Sequence, residues 1–445
     1  MRYFHLVSLG CAKNLVDSEV ILGTMTVAGW QFTEDPENAD VLIVNTCGFI
    51  QAAVEEAIDE IFELVKIKER HPDTRLVVVG CLVQRYKEKL VEDLPEVDLF
   101  VGTEGGVEIA ELLAKLDGGE VLQKVVLPAR FLMTYETPRL LSTPPFRAWL
   151  KITEGCNNRC SYCMIPTIRG DLRSRSLEDL VKEAQHLEMS GVKELSLIAQ
   201  DSTAYGRDRK SGVNLELLVR HLLDHTSIPW LRLLYLYPTG VSEQLLDMIA
   251  GNDRITPYLD IPMQHVNDGI LKAMNRHYTG DELYRLIEKI RNRIPGIALR
   301  TTFLVGFPGE SEKAFMEIEE FLRQVRIDHV GVFPYANEEG APSEKFAQQL
   351  PEREKQKRAE ALLAVQAELS AEIQKKYLGR VEPVLIEGLS SETDLLLQGR
   401  TRYQAPEVDG CLLINDGIAN PGDIVPVLIT EALTYDLIGA VVEKE

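Results

Sequence analysis

Uninterrupted apolar runs alternate with amphipathic segments through the first part of the chain. Residues 3–9, 40–45 and 75–80 (Arg-Leu-Val-Val-Val-Gly in the last) read as strands, because continuous β-branched runs mark parallel sheets covered on both faces. Helical patterns such as 52–68 lie between them, and repeated strand–helix units predict an open parallel α/β sheet. The periodicity fails over 129–147, where Pro138, Pro144 and Pro145 with Ser142 and Thr143 predict a linker. Six further runs then alternate with helices, at 149–153, 194–199, 231–237, 258–263, 298–305 and 329–335. Six β/α units predict a partial (β/α)6 barrel. The helix over 176–190 shows the signals: Ser176 as cap, Asp179 in the first turn, an apolar face of Leu177, Leu180, Val181, Ala184 and Leu187, and Gly191 as the stop.

Residues 351–377 are rich in Glu, Lys, Ala, Leu and Gln and predict one long helix. Beyond Leu378 the runs 381–387, 395–402, 411–415 and 424–431 are punctuated by Asp409-Gly410, Asp416-Gly417 and Pro421-Gly422-Asp423. They predict a small antiparallel β-barrel, with Cys411 as a core thiol. The fold class is α/β, divided into 1–135, a linker over 136–147, 148–377 and 378–445.

With 445 residues the chain exceeds one usual core, which fits this division. No apolar run reaches the length of a membrane span, and the opening residues 1–11 leave no room for a signal peptide. Seven cysteines, an odd number, predict reduced thiols in a cytoplasm. The formal charge of −21 opposes strong general affinity for nucleic acid.

The densest chemical signal is Cys156-Asn157-Asn158-Arg159-Cys160-Ser161-Tyr162-Cys163, a C-x3-C-x2-C run. A loop this short turns three thiolates toward one point, and thiolate is the ligand that iron–sulfur clusters select. With three protein ligands, a four-iron cluster keeps one iron open for a substrate or cofactor, the open-position logic of catalytic metal sites. Zinc competes poorly, because it usually wants four Cys or His in paired spacings. Three more cysteines, Cys11, Cys47 and Cys81, each follow the end of a predicted strand in the first sheet. Open parallel sheets bind ligands beyond the carboxyl ends of their strands, so these three are expected to meet at one edge and hold a second cluster. Glycines 10, 48 and 80 are expected to let backbone approach it. Three buried structural cysteines are the plain alternative.

Polar groups close several later strands: Gln200-Asp201 the second, Gln264-His265 the fourth, and Gly306-Phe307-Pro308-Gly309-Glu310 the fifth. His265 reads equally as a capping or a functional histidine, and 306–309 equally as an ordinary turn. Arg169, Arg173 and Arg175 either clamp carboxylates or form a solvated basic stretch.

The C-x3-C-x2-C run, with Tyr162 before its last cysteine, resembles the radical S-adenosylmethionine (SAM) superfamily. With the three strand-end cysteines and the final small barrel, which looks like a TRAM domain, the resemblance extends to the methylthiotransferases over essentially the whole chain. Cys11-Ala12-Lys13-Asn14 with Asp17-Ser18 matches that family's opening motif. The resemblance implies two [4Fe-4S] clusters and SAM as cofactors. Cys156, Cys160 and Cys163 would hold the SAM cluster, and Cys11, Cys47 and Cys81 the auxiliary one. Tyr162, Gln200, Asp201, Gln264, Gly306, Phe307 and Pro308 would contact SAM. The implied chemistry is hydrogen abstraction from an unactivated carbon followed by sulfur insertion, with a second SAM methylating the sulfur and a reductant such as flavodoxin or ferredoxin supplying electrons.

The family divides by substrate, between a transfer RNA adenosine and an aspartate β-carbon in small-subunit ribosomal protein S-twelve. From Lys376 to Glu445 five basic residues stand against twelve acidic ones, a net of −7. An RNA-reading domain needs Lys and Arg for phosphates, whereas a basic ribosomal protein is drawn to an acidic surface. Residues 199–206 (Ala-Gln-Asp-Ser-Thr-Ala-Tyr-Gly) and 235–238 (Tyr-Leu-Tyr-Pro) also look like the ribosomal-protein branch. Transfer RNA is the second expectation. A cluster protein that senses redox state without catalysis is the third, and its barrel would bind no SAM.

Overall fold

The structure is a computed structural model that describes residues 1–120, 124–127, 131–210 and 212–442. The expected start of the aperiodic stretch at Ala129, and the end of the last domain at Glu445, lie outside these residues.

The first sheet contains β1 (Arg2–Ser8), β2 (Trp30–Phe32), β3 (Val41–Thr46), β4 (Arg75–Gly80), β5 (Leu99–Val101) and β6 (Val125–Val126), in the order β2-β1-β3-β4-β5-β6. Every neighbouring pair is parallel. β1, β3 and β4 are the three predicted strands. The others are two or three residues long, too short to carry a periodic signal. Successive side chains of a strand point to opposite faces. Accordingly Leu42, Val44, Leu76 and Val78 pack with Ala57, Ile61 and Leu64 of the helix Gln51–Arg70, while Ile43, Val77 and Val79 pack with Ile21, Leu22 and Met25 of the helix Ala12–Val27.

The central unit begins with β7 (Arg147–Lys151), followed by a short antiparallel pair, β8 (Thr153–Glu154) with β9 (Arg173–Ser174). β10 (Glu194–Ile198), β11 (Trp230–Leu233), β12 (Ile255–Asp260), β13 (Ala298–Val305) and β14 (His329–Pro334) complete a six-stranded sheet in the order β14-β13-β12-β11-β10-β7. Its pairs are all parallel, and these are the six predicted strands. The helix Leu177–Met189 is capped as expected, with the Ser176 hydroxyl accepting from the Asp179 N–H and Gly191 at φ +96°. The long helix is Glu352–Gln374.

The last unit is a closed barrel of β15 (Val381–Leu389), β16 (Leu397–Thr401), β17 (Leu412–Asp416), β18 (Ile424–Ala432) and β19 (Leu437–Val441). The fifth strand, β19, was not anticipated, and it pairs parallel with β17, while the other four pairings are antiparallel. Cys411 is not a core thiol. It precedes β17, is half-buried, and its N–H donates to Asp436.

The three units share a core. Val16 and Val20 from the first, Met133 from the proline-rich stretch, Trp149, Ile198, Leu234, Tyr258 and Ala298 from the second, and Ala405 from the third form one buried cluster. The proline-rich stretch is likewise no loose tether. Arg139 is buried between Glu19, at 2.7 Å, and Glu183, at 2.5 Å, and a Cβ on Gly23 would stand 2.6 Å from the Pro138 carbonyl carbon.

Candidate metal centres

Cys11, Cys47 and Cys81 follow β1, β3 and β4, three adjacent strands of one sheet. A Cβ on Gly10 would lie 2.7 Å from Cys47 Cβ and 3.2 Å from its Sγ, and a Cβ on Gly48 would lie 2.9 Å from the Cys81 carbonyl carbon. The three loops therefore touch in sequence, first to second and second to third. Glycines 10 and 48 serve this contact of loop on loop, a different use from the expected approach of backbone to a cluster. Gly80, at φ +106°, packs against Thr46 and Asn45.

The opening motif stitches the same edge together. Asn14 donates to the carbonyls of Leu9 at 2.6 Å and Asn45 at 3.3 Å, Asn45 donates to Ser18, and Ser18 donates to Ser8. Lys13 reaches the second unit, with its ammonium 3.2 Å from the ring centre of Tyr235, itself at φ +58°.

The loop of Cys156, Cys160 and Cys163 follows β8 at the carboxyl-end side of the central sheet. Gly155 sits at φ +71°, where a Cβ would stand 2.2 Å from the Asp171 carbonyl oxygen. The end of the helix Asp268–Ala273 and the residues after it hold the loop. Asn275 donates to the Arg159 carbonyl at 2.8 Å, Ser161 N–H donates to Met274 O at 3.0 Å, and Ser161 Oγ donates to Ala273 O at 2.8 Å. Arg276, which the sequence did not single out, brings its guanidinium to 3.6 Å from Cys160 Sγ while lying over the rings of Tyr237 and Tyr278.

None of the seven cysteines is paired in a disulfide. Burial pushes Cys81 up to about 12, with Arg169 opposing it, and raises Cys47 as well. Burial likewise lifts Cys156 to about 11 and Cys163 to about 12. Cys11 goes the other way. Desolvation of its thiol would raise it, but Lys13, Arg169 and the N–H groups of Asn14 and Lys13 together hold it below the ordinary range, even though the residue keeps exposed surface. Within each set the thiols destabilise one another's charged forms, so a cation at their centre would be favoured. Metal loading would then release protons. Among the described residues no three His, Cys, Asp or Glu side chains are placed to hold a single metal ion. Ligands of a cluster each take a different iron and stand farther apart.

The strand-end residues divide into two kinds. Gln200, after β10, has both amide atoms buried without a partner, an orphaned donor and acceptor that fit a polar cofactor there. Thr153 Oγ1 is likewise unpartnered. Asp201 is committed: it accepts from Thr203 on one oxygen and from Asn158 of the cysteine loop, at 2.8 Å, on the other. Gln264, at φ +70°, has both backbone groups bonded to β13. Gly306, Phe307 and Pro308 are buried. The Phe307 ring stands edge-on to Tyr335 at 5.2 Å and shares an apolar cluster with Tyr162, and Glu310 closes the turn, its carboxylate accepting from the Gly306 N–H at 2.9 Å and its N–H donating to the Phe307 carbonyl at 2.9 Å. His265 is a core residue. Its Nδ1 accepts from the N–H groups of Val266 and Asn267, and its Nε2 lies 3.3 Å from Glu310.

The three arginines do not form a solvated stretch; each is paired with carboxylates of the chain itself. Arg169 is buried and pairs with Asp17 at 2.8 Å and Glu154 at 3.1 Å, Arg173 pairs with Glu104, and Arg175 pairs with Asp179 at 2.7 Å and Glu183 at 2.5 Å. Lys151 joins the first group, bonded to Asp17 and Glu154. The knot of Asp17, Lys151, Glu154 and Arg169 locks the first unit onto the second between the two cysteine sets.

Known families match along the chain: "Uncharacterized protein family UPF0004" over residues 3–102, "Radical SAM superfamily" over 150–322 and "TRAM domain" over 378–442. Among solved structures, the radical S-adenosylmethionine methyltransferase TsrM from Kitasatospora setae shares the fold at a TM-score of 0.57 and 17% identity, covering 75% of each chain. The cobalamin-dependent S-adenosylmethionine radical enzyme OxsB does so at 0.52 and 13%, covering 81% of this chain and 56% of that one. Two curated relatives are both named ribosomal protein uS12 methylthiotransferase RimO. The one from Desulfotalea psychrophila is 61% identical over 99% of this chain and 100% of its own length, and the one from Geotalea uraniireducens is 48% identical over 98% of each. With that identity across all three units, the chain belongs to the RimO family of ribosomal protein uS12 methylthiotransferases.

Proposed function

We propose that this chain methylthiolates the β-carbon of an aspartate in ribosomal protein uS12, using SAM and two [4Fe-4S] clusters. The observation that carries the reading is the meeting of two three-thiol sets across one domain boundary, with Arg169 reaching from the loop of one set to Cys81 of the other at 3.6 Å. The units are 1–135, the pinned stretch 136–147, the barrel with its trailing helix at 148–377, and the TRAM domain at 378–445.

Cys156, Cys160 and Cys163 would hold the cluster that binds SAM, and Cys11, Cys47 and Cys81 the auxiliary one. When bound, the first would supply the reducing electron for SAM chemistry and the second the sulfur. The chain's own residues place these groups. Gln200 offers its free amide to the polar part of SAM, and Asp201 keeps the cysteine loop in register through Asn158. Gln264 and the backbone of Gly306, Phe307 and Pro308 frame the remaining strand ends, with Tyr162 packed between loop and turn. The raised thiols of Cys81, Cys156 and Cys163 give up their protons on loading. The acidic TRAM domain suits a basic ribosomal protein. A reductant such as flavodoxin or ferredoxin and a cytoplasmic setting complete the proposal. Among the described residues no helix is long and apolar enough to cross a membrane.

The test offers uS12 and unmodified transfer RNA together to the anaerobically reconstituted enzyme with SAM, sulfide and a strong reductant, and both are read by mass spectrometry. Replacement of H by SCH3 on the uS12 aspartate is the expected result. The same gain on RNA alone would overturn the substrate, and no cleavage of SAM would overturn the chemistry.

A further inference from the structure

The segment after β14 touches both cysteine sets. Glu338 is 4% exposed. Its Oε1 accepts from the N–H of Gln51 at 2.8 Å, and its Oε2 accepts from Arg85 at 2.9 Å. The helix Gln51–Arg70 begins four residues after Cys47 and has neither a capping side chain of its own nor an acidic residue in its first turn. The orphan N–H groups of a helix start need such an acceptor, and here another domain supplies it. Arg85, in the helix Cys81–Tyr86 that Cys81 opens, also donates to Gly48 O at 2.9 Å and Glu339 O at 3.1 Å. One carboxylate thus holds the loop of Cys47 and the helix of Cys81 together.

The same segment then reaches the other set. Ala341 packs with Cys81, Met164, Ile168 and Phe49. The Ser343 N–H donates to the carbonyl of Ser161, between Cys160 and Cys163, at 2.9 Å. Tyr335 OH, 3.0 Å from Ser343 Oγ, anchors the far end. Six residues therefore span from the auxiliary thiols to the SAM-cluster loop.

We infer that residues 338–343 form a strap that sets the separation of the two cysteine sets, with Glu338 as a positioning residue that holds the auxiliary set in place for sulfur transfer. Sulfur must reach a carbon radical made at the other set, and a displacement of about 1 Å can cost on the order of a hundredfold in rate. The inference rests on the assignment of the two cysteine sets made above.

The test compares full-length Glu338→Ala, Glu338→Gln and Arg85→Met with wild type, all anaerobically reconstituted. In Glu338→Ala, iron and sulfide content and SAM cleavage without uS12 should stay within about twofold, while methylthio transfer falls about tenfold or more. Two signatures accompany that split. Hydrogen exchange at the backbone of residues 51–54 speeds up, and the magnetic coupling between the two reduced clusters, read by electron paramagnetic resonance, changes. Glu338→Gln keeps an acceptor for Gln51 and should retain the exchange protection with an intermediate rate. Unaltered coupling and transfer in a Glu338→Ala chain with faster exchange would overturn the strap. If that variant fails to fold, Glu338→Gln and Arg85→Met decide: a joint shift of coupling and transfer supports the strap, and wild-type values of both overturn it. A wrong assignment of the cysteine sets would show separately in Cys47→Ala and Cys160→Ala, as SAM cleavage lost in the first and kept in the second.

Discussion

The Arg169 guanidinium lies 3.6 Å from the sulfur of Cys81, although the two residues belong to different domains. Arg169 follows the loop of Cys156, Cys160 and Cys163, and its carboxylate partners, Asp17 and Glu154, stand one on each side of the boundary. The charge that tempers Cys81 therefore also holds the two units together.

Replacing Arg169 with Met should strand Asp17 and Glu154, both drawn on by Lys151 alone. Breaking a buried pair by removing one partner costs about 3–5 kcal/mol. A lowered thermal midpoint and loss of auxiliary iron, with the SAM cluster still loaded, are the expected outcomes in melting and iron analysis. An unchanged midpoint would show that the knot contributes nothing to the assembly.

The two thiol sets should separate by mutation. Cys47→Ala should spare reductive SAM cleavage and abolish methylthio transfer, and Cys160→Ala should abolish both. Chromatography of SAM cleavage products beside mass spectrometry of uS12 reads the difference. Intact methylthio product from Cys47→Ala would refute the auxiliary role.

Gln200→Leu removes a buried donor and acceptor that meet no protein partner. Loss of one or two hydrogen bonds to a polar ligand corresponds to about a tenfold weaker Kd for SAM, read by anaerobic titration calorimetry with cluster content unaltered. Equal affinity in the variant would remove Gln200 from the SAM site.

Acid should loosen the contact of the TRAM domain with the central unit. Glu194 is buried between Arg232 and Arg400, at 2.5 and 2.6 Å. Burial alone would raise it, but the two guanidinium groups hold it down to about 2. Because the folded value is depressed, this stabilisation is complete above the ordinary carboxylate value of 4.5 and is lost as pH falls toward 2. Trp230 packs with Phe146 and Leu385 at the same boundary, so its fluorescence should report the transition, and Arg400→Met should move the change to higher pH.

What could be read from the chain depended on how locally each feature is encoded. The loop of Cys156, Cys160 and Cys163 is one stretch, so its spacing was visible. Cys11, Cys47 and Cys81 were legible one step removed, because parallel strands bring their carboxyl ends to one edge whatever lies between. The partners of Arg169 and Glu338, and the Cys160 and Tyr237 partners of Arg276, come from distant stretches, and no short pattern encodes them. Lys13 and Asn14 were visible as letters of a motif but not as a cation over Tyr235 or a stitch between β1 and β3. β19 escaped because Gly439 interrupts its apolar run. That glycine is needed where a Cβ would stand 2.5 Å from the Leu428 carbonyl oxygen.

The cluster that joins Val16, Met133, Trp149 and Ala405 has a consequence for how the enzyme is made. Ala405 is synthesised after both parallel sheets and the long helix, so the inner face of the barrel stays unsealed until the last unit has begun to form. Folding of the first domain on its own leaves the apolar stripe of Val16 and Val20 without its cover. A chain stopped before Ala405 therefore carries an open apolar seam.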